Sequence, residues 1–134
     1  MKYTERLLEH FRNPKNVGVI EDADGVGRVT SPVCGDIMEL YIKVKDEKIV
    51  DVKFQTFGCA AAAIASSSVL TELIKRKTIN ETLEITNKRI IDTLGGLPEE
   101  KVHCSVLAED GVKKAIEDYK LRQKTTEKTG SLHN

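Results

Sequence analysis

The feature that most constrains this chain lies between Met38 and Phe57. Met38, Leu40, Ile42 and Val44 alternate with Glu39, Tyr41, Lys43 and Lys45. After "DEK" the alternation resumes, with Val50, Val52 and Phe54 set against Asp51 and Lys53. A period of two sends successive side chains to opposite faces of a pleated strand. The stretch therefore predicts an antiparallel hairpin with one buried face, its second strand ending at Thr56 or Phe57. A lone hairpin is marginal in water, so the rest of the chain must cover that face.

The covering elements are legible on either side. Leu7, Leu8 and Phe11 fall at helical spacing over 4–11, and Pro14 and Gly18 end that helix. A first strand is expected at 27–31, stopped by Pro32. Gly58 and Cys59 mark the change from strand to a helix over 60–76, alanine-rich at its start, where small residues permit close packing. A helical turn or two is expected at 78–85. A further helix carries Ile90, Ile91 and Leu94 and stops at Gly95 and Gly96. The last helix should run over 105–122, with Ala108, Val112, Ala115, Ile116 and Tyr119 on one stripe; Gly111 costs it about 1 kcal/mol relative to alanine. The fold class is α/β (α+β): a small antiparallel three-stranded sheet packed against four to five helices. Residues 1–122 form one domain, and 123–134, which lack apolar periodicity, are expected to be a disordered tail.

Composition narrows the function. In 134 residues, 21 Lys plus Arg balance 21 Asp plus Glu, and aromatic residues make up 4%. That supplies neither a basic field nor a stacking platform for nucleic acid. The charged N-terminus has no signal-peptide core, and no apolar run is long enough to span a bilayer, so a cytoplasmic protein is expected. Three cysteines are an odd count for a disulfide framework, which favours reduced, ligand-type or reactive thiols.

Cys34, Cys59 and Cys104 all fall at expected element ends, Cys59 and Cys104 ahead of helices whose free N–H groups favour a thiolate. Asp36 follows Cys34 across Gly35, and His103 adjoins Cys104. Thiolate, imidazole and carboxylate together suggest a metal. Thiolates suit zinc, copper(I) or iron-sulfur clusters, whereas a carboxylate holds such a cluster less firmly, so a mixed set would both bind a cluster and release it. The spacing matches no compact zinc motif, and any one cysteine could be a small buried hydrophobe. Two other chemistries compete: a closed structural zinc site, and a cysteine nucleophile using Cys104 with His103 or Cys59 with the nearby serines. Against the former pair, adjacent residues at a helix start are expected to point apart.

The segments "YTERLLEHFRNPKNVG", "CGD", "TFGC" with "IASSS", "LGGLP" and "HCSVLAED" with "DYK" occur in that order over residues 3–122. They resemble the IscU/NifU-type iron-sulfur cluster assembly scaffolds. The resemblance implies a SufE/NifU-like fold on which a [2Fe-2S] cluster is built and passed on. Residue by residue it places Cys34, Asp36, Cys59, His103 and Cys104 in the cluster- and metal-binding set, with Asp36 or His103 as fourth ligand. Cys104, then Cys34, would accept sulfur. The implied cofactors are a transient [2Fe-2S] cluster, iron, and zinc in the cluster-free form. The implied partners are a cysteine desulfurase, an electron donor such as ferredoxin, and recipient apo iron-sulfur proteins; a homo-oligomer is left open. Such a protein is a scaffold and sulfur acceptor rather than a turnover enzyme.

The absence of an insertion ahead of Cys104, and the presence of His103, resemble the IscU-like branch. Two departures stand out. Where bacterial members carry Leu-Pro-Pro-Val-Lys for an Hsp70-type chaperone, this chain has Leu97, Pro98, Glu99, Glu100 and Lys101, which counts against that recognition. Four alanines separate Cys59 from Ile64 where three small residues are expected; the extra one either lengthens a loop or rotates the helix by about 100°. Elsewhere, Ser66, Ser67 and Ser68 are read as small packing residues, His10 as a surface or interface residue, and Lys75, Arg76 and Lys77 as a solvated helix end.

Overall fold

The computed structural model describes residues 3–32, 35–58 and 60–133, with side chains as far as Lys124. Its elements are α1 (Glu5–Arg12), β1 (Gly25–Thr30), β2 (Ile37–Lys45), β3 (Lys48–Phe57), α2 (Ala61–Ile74), α3 (Ile79–Leu83), α4 (Asn87–Leu94), a 3-10 turn (Glu99–Lys101) and α5 (Val102–His133). The three strands form an antiparallel meander in chain order. One sheet face is buried through Met38, Leu40, Ile42, Val52 and Phe54. Helix α5 lies along β1 and β2, and α2 along β3. This is the expected α+β architecture, and no helix among the described residues is long and apolar enough to cross a membrane.

The hairpin departs from strict alternation at one place. Lys43 pairs with Asp51 but Val44 pairs with Ile49, so Val50 is an extra residue in a β-bulge. The bulge shifts the phase: Ile49 is buried, and Val50, expected inside, is 44% exposed. The turn is tighter than "DEK" suggests. Asp46 and Glu47 both have positive φ, the geometry of a two-residue turn that matches strand twist. Glu47 offsets the cost of that conformation by accepting hydrogen bonds from the Ile79 backbone N–H and the Tyr119 hydroxyl.

Helix α2 is buried nearly all round, consistent with its alanine- and serine-rich start. It is sandwiched by α1, α4, α5 and β3. Ser66 and Ser67 are the close-packing residues expected, but Ser68 does more: its Oγ accepts from the Lys15 N–H and lies 2.8 Å from His10 Nδ1. His10 is thus a part-buried tie between α1 and α2 rather than a surface residue. Lys75, Arg76 and Lys77 are solvent-exposed as expected, and the chain reverses there to pair with β3 through Arg76 and Lys77.

Two boundaries differ at the sheet–α5 seam. Strand β1 starts two residues earlier than expected, because Gly25 and Gly27 let α5 lie directly on it. A Cβ on Gly27 would fall 2.2 Å from the Gly111 carbonyl oxygen. Gly111, a cost by helix propensity, makes room for Met38, whose Cε would sit 2.3 Å from an added Cβ. Helix α5 starts at Val102, not Ser105, because the Glu99–Lys101 turn leads directly into it. It also continues to His133, so the backbone over 123–133, expected to be disordered, is helical.

The opposite sheet face carries a polar cluster. Glu39 Oε1 accepts from Tyr41 Oη and Gln55 Nε2, both at 2.8 Å, and Arg28 pairs with Oε2. Hydrogen bonds from Gln55, then Tyr41, hold the Glu39 carboxyl below its ordinary range; burial, then Glu39, pushes the Tyr41 hydroxyl up.

Candidate functional site

The register gathers several chain segments at one end of the sheet. Thr30 pairs with Ile37 and Ile37 with Phe57. The described ends of the β1–β2 loop (Ser31, Pro32, Gly35 and Asp36) and Gly58 after β3 therefore lie at the same end of the sheet. The loop is closed by two backbone bonds: Ser31 N–H donates to the Asp36 carbonyl (2.8 Å), and Gly35 N–H to the Ser31 carbonyl (2.9 Å). Gly35 (φ 73°) and Gly58 (φ 69°) take the left-handed conformation that these turns need. Asp36 ends the loop with its residue only 5% exposed. Ser31 was not singled out in the sequence; the only signal was its place before Pro32.

The junction to α2 is short. Ala60 is extended and acts as N-cap without a side-chain bond, and its carbonyl accepts from Ala63 and Ile64 N–H. Only Ala60 stands between Cys59 and the helical residues. Cys34 and Cys59 themselves lie outside the described residues.

The third contribution comes from the start of α5. Cys104 is inside the first turn rather than ahead of the helix, and is 2% exposed. Its Sγ lies 3.7 Å from His103 Nε2. The two neighbours were expected to point apart; instead the helical turn brings thiol and imidazole together. Ser105 Oγ donates to the Val102 carbonyl, and Asn87 of α4 donates to Ser105 Oγ, fixing this turn against α4. His103 is partly exposed and lines, with Ser31 and Pro32, a groove leading away from the loop over 31–36.

Of the five residues expected in the site, the structure thus pairs His103 with Cys104, and puts Asp36 on the loop whose Ser31–Pro32 limb borders the same groove as His103. Among the described residues, no three histidine, cysteine, aspartate or glutamate side chains come close enough to hold a metal ion. The chemistry available is that of a soft sulfur donor beside an imidazole, with a buried aspartate on the β1–β2 loop.

Comparisons with known proteins agree with this layout. Residues 2–126 match the family described as the NifU-like N-terminal domain. The chain is 61% identical over 117 residues to the iron-sulfur cluster assembly scaffold protein IscU 1 of Archaeoglobus fulgidus, covering 87% of this chain and 76% of that one. It is 48% identical over 127 residues to the IscU scaffold protein of Escherichia coli, covering 92% and 98%. The crystal structure of a nitrogen-fixing NifU-like protein (N-terminal) from Brucella abortus superposes with a TM-score of 0.67 at 26% identity, covering 87% of this chain and 92% of that one. By these matches and by its fold, the chain belongs to the NifU-like N-terminal domain family, on the side of its IscU scaffold members.

Proposed function

We propose that this protein is a scaffold for iron-sulfur cluster assembly: it builds a [2Fe-2S] cluster from iron and desulfurase-derived sulfur and transfers it to apo-proteins. The observation that carries the reading is the pairing of Cys104 with His103 in the first turn of α5, where His103 lines the same groove as Ser31 and Pro32. The IscU scaffold proteins to which the chain is similar support it. Cluster and iron are cargo here, and the protein is an acceptor and carrier rather than a turnover enzyme. Zinc would occupy the same donors when no cluster is present. A reducing cytoplasm would keep the thiols in their ligand form.

A cysteine desulfurase presents sulfane sulfur as a persulfide; a scaffold thiolate attacks its outer sulfur, the donor's S–S bond breaks, and the desulfurase thiolate leaves. Two sulfane sulfurs need four electrons to become sulfide. Two come from oxidation of two iron(II) ions to iron(III), and two from an electron donor such as ferredoxin. Cys34, Cys59 and Cys104 are the proposed thiolate ligands, with Asp36 or His103 as the fourth. Cys104 is buried, so receiving sulfur there requires its neighbours to open; Cys34 is the alternative acceptor. The exposed Glu99 and Glu100 leave Hsp70 recognition of residues 97–101 out of this reading.

Asp36 tests the exchangeable part of the site. Asp36→Ala should hold a reconstituted cluster longer and transfer it more slowly to apo-ferredoxin, by about tenfold, the effect of roughly 1.4 kcal/mol. Anaerobic visible absorption reads both rates. Unchanged retention and transfer would remove Asp36 from the ligand set.

A further inference from the structure

The sheet has two edges, and they are treated differently. The β3 edge is covered twice. Asn16 and Gly18 pair with Phe54, and Arg76 and Lys77 pair with Ile49. The β1 edge is closed only over its first half, where Val26 N–H donates to Asp118 Oδ2 (2.8 Å) and Arg122 donates to the Ala23 carbonyl. The Val26 bond sets the parity of the strand, and the bond from Ser31 N–H to the Asp36 carbonyl, flanking the Thr30–Ile37 pair, agrees with it. In an antiparallel ladder, alternate residues turn their backbone groups outward. Val26, Arg28 and Thr30 therefore direct N–H and C=O away from β2. Arg28 and Thr30 are solvent-exposed, and no described residue bonds their outward backbone groups.

That open half-edge borders a groove of about 540 Å³. Thr30, Ser31 and Pro32 form one wall; α5 forms the other, apolar at Val106 and Leu107 beside His103 and charged from Asp110 to Glu117 beyond them. The combination is an unpaired strand edge, apolar contacts beside it, and a site histidine at one end. We infer that this groove receives an extended segment of a recipient apo-protein, which adds to β1 at Arg28–Thr30 and brings its cysteine to the His103 side of the site. The inference rests on the scaffold reading above. Backbone pairing would give affinity without demanding a particular sequence, and the apolar wall would favour a small or branched side chain beside the acceptor cysteine. The recipient fits better than the sulfur donor because the groove is lined by His103 and not by the buried thiol of Cys104. Delivery is then ligand exchange: each recipient thiol gives up its proton to solvent and forms an iron–sulfur bond as a scaffold ligand leaves. No electron changes hands.

Thr30→Pro removes the outward N–H, which an edge strand tolerates and an incoming strand does not. Transfer to apo-ferredoxin, at matched cluster loading, should need about tenfold more recipient for half-maximal rate. Independently of any variant or cluster, apo-ferredoxin should slow amide exchange at Arg28 and Thr30 of the wild-type chain, read by NMR. Wild-type transfer by Thr30→Pro together with unaltered exchange would overturn the inference. So would a wild-type dimer in analytical ultracentrifugation that Thr30→Pro dissolves, since the edge would then pair with a second copy. If the wild type forms no cluster, the scaffold reading fails, and amide exchange alone decides the groove.

Discussion

Gly27 and Gly35 stand at opposite ends of one strand–loop unit and are glycines for opposite reasons. At Gly27 an added Cβ would meet the Gly111 carbonyl oxygen at 2.2 Å and the Ala115 nitrogen at 2.6 Å. At Gly35, with φ +73°, it would meet no atom of the described residues within 4 Å. The first lacks a side chain so that α5 can lie flush on β1; the second lacks one so that the backbone can turn. The difference separates a dense seam, where sheet and helix are fixed against each other, from a turn whose glycine answers to backbone conformation. A scaffold needs both: a platform that does not move, and donors that can change partners.

The largest effect expected from breaking this contrast is at the seam. Gly27→Ala drives a methyl group into backbone on α5 and should cost about 3 kcal/mol, read as a drop in the urea midpoint with an unchanged slope. Gly111→Ala, on the same seam, clashes with the flexible end of Met38 and otherwise makes ordinary contact with Val29, and it gains about 1 kcal/mol of helix propensity, so its net cost should be well below that. Gly35→Ala should cost about 1 kcal/mol, the left-handed penalty, since no described residue stands in the way of the methyl. Equal losses at Gly27 and Gly35 would erase the distinction.

The smallest effect belongs to the sheet face that neither region uses. Hydrogen bonds from Gln55 and Tyr41 depress the Glu39 carboxyl, so its contribution is full above the ordinary glutamate range and is lost as pH falls through the folded value. Glu39→Gln should therefore be less stable than wild type at about pH 7, by under about 1 kcal/mol, and the gap should narrow as pH falls below the ordinary glutamate range. Urea titrations over a descending pH series check it. A constant gap would mean that the carboxylate charge is not what the cluster holds.

How far the sequence reached follows the physics of each signal. Periodicity located the hairpin, α1, α2 and α4, because a buried face must repeat with the element that carries it. It could not see the bulge: Ile49 and Val50 are both β-branched, and only the pairing of Val44 with Ile49 shows which one turns inward. It placed the start of α5 too late, since Pro98 and the 3-10 turn replace a side-chain cap. The roles of Gly25, Gly27 and Gly111 depend on a helix and a strand far apart in sequence, and so leave no local mark. The ligand set was named only by resemblance. The structure adds the His103–Cys104 contact, which spacing argued against, and the Ser31 closure of the loop to Asp36.

The most direct test of the account is anaerobic incubation of the wild-type chain with a cysteine desulfurase, cysteine, iron(II) and a reductant, followed by visible absorption and Mössbauer spectroscopy. A scaffold should yield the charge-transfer bands of a [2Fe-2S] cluster and a diamagnetic pair of iron(III) sites with tetrahedral, sulfur-rich parameters. A protein that takes up zinc but incorporates neither iron nor sulfide under these conditions would contradict it.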